Sequence, residues 1–157
     1  MQSLKEDYDK LRKKHSLPSY EEINNEFELL YFGNILEISF PLKFVRRRMI
    51  DKVNSFIGLL QNILYPNPSS LINMEEHKSF SEEEKKELSA LIQELMALAR
   101  MSTLLELEND EKRDADFIKT TFTRWKQLTK KLLPFVQKLV EIWKKEQSEE
   151  ESKPYFG

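Results

Sequence analysis

Five cations crowd one stretch of this chain: Lys43, Arg46, Arg47, Arg48 and Lys52. Lysine and arginine at helical spacing can line up on phosphates, and arginine in particular forks onto paired oxygens. Lys43 and Arg47 stand one helical turn apart, as do Arg48 and Lys52, which sets the cluster on the side away from Val45, Met49 and Val53. Two uses follow. The preferred one is a solvated helix face, with Arg47 beside Asp51 and the acidic Glu75–Glu87 stretch balancing the charge. The alternative is a phosphate-contacting patch on nucleic acid, reinforced by Lys126, Lys130 and Lys131. The chain as a whole carries a net charge of −2, which favours the first use, and no nucleic-acid-binding module pattern is visible.

Other chemistry is thinly supplied. There is no cysteine, which removes disulfides and thiolate metal sites. The two histidines, His15 and His77, fall in stretches that read as loops. The residues three before them are Arg12 and Met74, so the Glu-x-x-His pairs of a dimetal bundle are missing. No nucleophile motif lies beside either histidine. Three scattered glycines (Gly33, Gly58 and Gly157) cannot build a phosphate cradle. The carboxylates cluster as consecutive runs, Glu82–Glu84 and Glu149–Glu151, which the pattern leaves exposed. General acid–base work needs carboxylates held in a cleft. The expectation is a protein that is not an enzyme and carries no cofactor or metal.

The elements that would position these residues are helices. Few glycines and prolines disfavour a turn-rich β fold, and the fold class expected is all-α: a bundle of four to five helices built on a long antiparallel pair. That pair spans Ser81–Glu146. Ser81 and Glu84 form a capping box. Leu88, Leu91, Leu95, Leu98 and Leu105 then alternate spacings of four and three, with Ser102 in the one gap. Asn109–Asp110 is the break. After it, Ile118, Thr121, Trp125, Leu128, Leu132, Phe135, Leu139 and Ile142 repeat the period, broadened by Phe117, Phe122, Val136, Val140 and Trp143. A stripe this wide touches more than one neighbour. Pro134 interrupts it and predicts a kink or a short break. A tight turn at Asn109 gives an antiparallel hairpin; its absence gives a bent rod.

Upstream, Leu4, Tyr8 and Leu11 mark a short first helix ending near Lys14. Ser19 and Glu22 cap a second, whose face is Ile23, Phe27 and Leu30 and whose stop is Tyr31–Asn34, with Gly33 or Asn34 in the left-handed cap. Ile35–Phe40 reads as a linker rather than a strand. Pro41 opens a third helix that runs to Leu64 before Tyr65-Pro66-Asn67-Pro68. Gly58 inside it suggests a close helix crossing. Asn67–Ser79 reads as a loop with at most a turn of helix near Leu71–Glu76.

The domain reading is one helical bundle over residues 1–146 and a flexible charged tail over 147–157. No run of eighteen apolar residues and no apolar leader is present, so a cytoplasmic protein without a membrane is expected. The expected function is a protein–protein interaction or assembly module, with a second copy of the chain as a candidate partner. Leu95, Leu98, Trp125, Leu132 and Trp143 are the candidate helix-interface residues. The alternative is a nucleic-acid-associated accessory protein using the basic face.

Overall fold

The computed structural model describes residues 3–29 and 38–152. These form six helices, and no strand occurs among the described residues: α1 (Leu4–His15), α2 (Tyr20–Phe27), α3 (Pro41–Leu64), α4 (Leu71–Lys78), α5 (Glu82–Glu108) and α6 (Glu111–Ser152). The fold is all-α, as the composition and periodicity predict. The sixth helix is α4, which the sequence pattern reduces to a turn. Ser70 caps it by accepting from the Asn73 N–H, and none of its residues is buried. A helix without a buried face leaves no apolar period to read.

The long pair folds back on itself. Asn109 closes α5 in the left-handed conformation (φ 51°), and the Asp110 carboxylate accepts from the Lys112 and Arg113 N–H groups at the start of α6. Ion pairs Glu108–Arg113, Glu94–Arg124 and Glu84–Lys138 then ladder down the two helices in opposite directions. This is the antiparallel hairpin, not the bent rod. The capping boxes at Ser19–Glu22 and Ser81–Glu84 are both formed.

α3 lies against both arms of the hairpin, and the core runs between the three. Val45, Met49, Val53, Leu60 and Ile63 of α3 meet Leu88, Leu95 and Leu105 of α5 and Ile118, Leu128 and Leu132 of α6 in one buried cluster. α1 and α2 add Leu4, Tyr8, Tyr20, Ile23 and Phe27 to it. The Tyr8 hydroxyl, wholly buried, donates to the Pro18 carbonyl at 2.8 Å, which ties α1 to the turn before α2.

Several expectations change. α2 stops at Phe27, not near Tyr31: Glu28 takes the left-handed cap (φ 54°), and Leu29 turns into the core. Leu30, the Tyr31–Asn34 stop and most of the Ile35–Phe40 stretch lie outside the described residues. Of the remainder, Ile38 packs on the core and Phe40 is exposed. α6 continues through Pro134 without a break and on to Ser152, past Gln147, the expected start of the tail. Pro134 itself is exposed, so its missing N–H and ring burden the solvent side of the helix.

Gly58 does not mark a helix crossing. It is exposed, and a Cβ built on it meets nothing within 4 Å. Gly58→Ala therefore relieves a helix-interior glycine at no steric cost, and we expect it to raise unfolding stability by about 1 kcal/mol. A thermal or urea melt of the variant checks this; an unchanged or lowered midpoint would contradict it.

Candidate functional site

The basic cluster on α3 is where sequence reasoning looks for anion binding. The structure turns most of it inward. Arg46 is fully buried. Its Nε donates to Asp114 Oδ1 at 2.7 Å, Nη1 donates to the Ser102 carbonyl at 3.0 Å and to Ser102 Oγ at 2.6 Å, and Nη2 donates to Glu106 Oε1 at 2.9 Å. All three guanidinium nitrogens are thus engaged by α5 and α6, and none is presented to solvent. The expectation that Arg46 sits away from Met49 and Val53 is corrected. Positions 46, 49 and 53 are spaced three and four apart and share one helix face.

Arg47 is the outer partner of the same carboxylate. Its Nε donates to Glu106 Oε1 at 2.6 Å and its Nη2 to Oε2 at 2.8 Å, a two-pronged contact. These bonds, those from Arg47 first, pull the Glu106 carboxyl down to about 2 from its ordinary value. Asp51, expected to pair with Arg47, instead accepts from Arg48 Nη1 at 3.2 Å. Lys43 donates to Asn109 Oδ1 and lies 5.3 Å from the Phe40 ring centre. Lys52 donates to the Glu26 carbonyl and lies 5.9 Å from the Phe27 ring centre. The charge on α3 is balanced by Glu106 and Asp114, not by the Glu75–Glu87 stretch. The five cations act as stitches from α3 to α2, α5 and the hairpin turn.

The candidate interface residues divide. Leu95, Trp125 and Leu132 are buried, and Leu98 packs half-buried on the core, so the chain itself occupies these four. Trp125 sits between Phe27 and Phe56, with ring centres 5.8 and 5.6 Å away. Its Nε1 and the Thr121 hydroxyl one turn earlier are buried without a hydrogen-bond partner. Trp143 is half-buried and stands outside the core cluster.

Neither histidine is in a loop. His15 ends α1, and its Nε2 lies 2.9 Å from Glu111 Oε1, which also pairs with Lys14. His77 belongs to α4, with Nδ1 2.6 Å from the Ile63 carbonyl and Nε2 3.4 Å from Lys85 Nζ. That pattern suits an Nδ1–H donor and an Nε2 acceptor, and anchors α4 between α3 and α5. No group of three or more metal-capable side chains occurs among the described residues.

A cavity of about 520 Å³ opens between the first half of α5 and α6 near Pro134, floored by Ala90, Leu91 and Phe135. Its Glu84 is bonded to Lys138 at 2.6 Å and to the Ser81 N–H, and its Glu94 to Arg124 at 2.7 Å. The lining holds no histidine, serine or threonine, so no nucleophile–base pair faces the space.

Apolar side chains without cover lie mainly toward the end of the bundle opposite Asn109. Tyr65 and Leu71 are 76% and 85% exposed, Ile72 joins them, and Leu133 and Val140 of α6 are 56% and 49% exposed. The Glu84–Lys138 pair and the Phe80–Phe135 ring contact at 6.3 Å bring this part of α6 to the same end as α4. Sequence reasoning places Val136 and Val140 on the broad seam of α6 but does not separate the outer strip from the inner one. One helix, α5, is long and apolar enough to cross a membrane by length and composition; Leu88, Leu91, Leu95, Ala99 and Leu105 turn that apolar content onto the core.

No protein-family model, curated protein or solved structure matches the chain.

Proposed function

We propose that the protein is a helical interaction module, and that it binds another protein chain through the end of the bundle opposite Asn109. One observation carries this reading: Tyr65, Leu71, Ile72, Leu133 and Val140 stand largely uncovered there. Large apolar side chains gathered on one end of a charged, well-packed bundle are costly to leave in water, and their burial against a partner is favourable. The reading is also supported by what α3 does with its cations. A phosphate-binding face built on Arg46 would have to break four hydrogen bonds inside the bundle, and Arg47 would have to release Glu106.

The test compares the wild type with Leu71→Lys/Ile72→Lys and with Leu133→Lys/Val140→Lys. We expect solution mass or a reproducibly captured partner to change in at least one variant, while helical content and melting temperature hold, because all four positions are exposed. Identical mass and identical captured partners for all three proteins would sink the reading.

A further inference from the structure

On that reading of the bundle end, we infer that the partner is a second copy of this chain, docked antiparallel along the C-terminal half of α6. The outer strip there consists of Leu133, Val136, Val140 and Trp143, spaced three, four and three. That is the seam spacing of paired helices. Leu133 and Val140 are about half exposed, and Val136 and Trp143 are half-buried, so the strip is edged by the chain's own core without being covered by it. α6 also outruns its hairpin partner. α5 begins at Glu82, and Glu84 pairs with Lys138, yet α6 continues to Ser152, so about three turns of helix extend past the start of α5.

The occupant is chosen by self-complementarity. A two-fold axis at position 138 stacks Leu133 on Trp143 of the second copy and Val136 on its Val140, large side chains at both ends and small ones at the centre. The same axis sets Lys126 opposite Glu150 and Lys130 opposite Glu146 of the second copy. In sequence, α6 is basic over 126–131 and acidic over 146–151, so only the antiparallel arrangement brings unlike blocks together. A parallel pair would lay lysine on lysine and glutamate on glutamate. Lys126 and Lys130 are exposed. Lys144, which this axis leaves near Lys130, has Glu141 three residues back as a counter-charge. Closed two-fold pairing through one isologous patch is the commonest way a single chain buries such a strip.

Sedimentation equilibrium from dilute to concentrated protein tests this at low and high salt. We expect a dimer mass that gives way to monomer on dilution and does so sooner in high salt. Val140→Glu is expected to be monomeric at every concentration with an unchanged melt. Lys126→Glu/Lys130→Glu should weaken the dimer at low salt, and adding Glu146→Lys/Glu150→Lys to the same chain should restore it. Because the chain has no cysteine, Gln137→Cys reports the axis directly: a short bis-maleimide should join it to its copy and leave Arg124→Cys, on the α5 side of α6, unjoined. A dimer indifferent to Val140→Glu and to the charge exchange would overturn the inference and keep the interaction reading, with the interface elsewhere. A monomer at all concentrations that still holds a different protein through Leu71 or Leu133 would do the same. A monomer with no such partner would remove both.

Discussion

Arg46→Met should lower unfolding stability by about 3–5 kcal/mol, one of the two largest losses we expect from a point change in this molecule. The size follows from what is left behind. Methionine fills much of the arginine volume and suits a core, but Asp114 is almost as buried as Arg46 and would lose its cation. Ser102 and its carbonyl would lose their donor as well, although Glu106 would keep Arg47. Urea denaturation of the variant reads the loss. Arg46→Met/Asp114→Leu is the informative companion. If the cost lies in the stranded carboxylate, the double variant recovers much of the stability, because apolar replacement of a whole buried pair is often neutral or favourable. If both variants are equally unstable, the cost is geometric and the stranded carboxylate is not its source.

Trp125→Ala is expected to cost about 3–5 kcal/mol, by removing the largest buried side chain at the point where α2, α3 and α6 meet. Phe27 and Phe56 would face a void that neither backbone can close, since α2 is pinned at both ends by its caps. Trp125→Phe should be far milder. It keeps an aromatic ring between the two phenylalanines and removes an indole N–H that has no partner. Melting temperatures of the two variants, taken together, separate lost volume from lost polarity; equal losses would contradict this division.

The helices are legible in the sequence because their apolar residues keep a 3.6-residue period over long stretches, and the hairpin because Asn109–Asp110 combines a left-handed cap with an acceptor for the next helix. α4 is not legible, because nothing in it is buried. The end of α2 is misplaced because Glu28, not a glycine or asparagine, takes the left-handed cap. The buried ion network leaves a trace that periodicity alone could catch. Arg46, Ser102 and Asp114 each occupy a core position in their own helix: beside Met49 and Val53, in the gap of the leucine ladder, and one turn before Ile118. Three polar residues at core positions on three helices imply one another, since none could be buried alone. A run of cations hides the first of them, because Arg47 and Arg48 make the whole cluster look solvated.

The two-residue turn at Asn109 has a topological consequence. Its φ of 51° is a state that asparagine tolerates better than most side chains. Were Asn109 and Asp110 to adopt helical angles, α5 would run straight into α6, and the apolar faces that now close on each other would point along a single rod. Two such rods could restore every buried contact only by exchanging α6 between chains. The sign of one backbone angle therefore decides whether this bundle is closed within one molecule or shared between two.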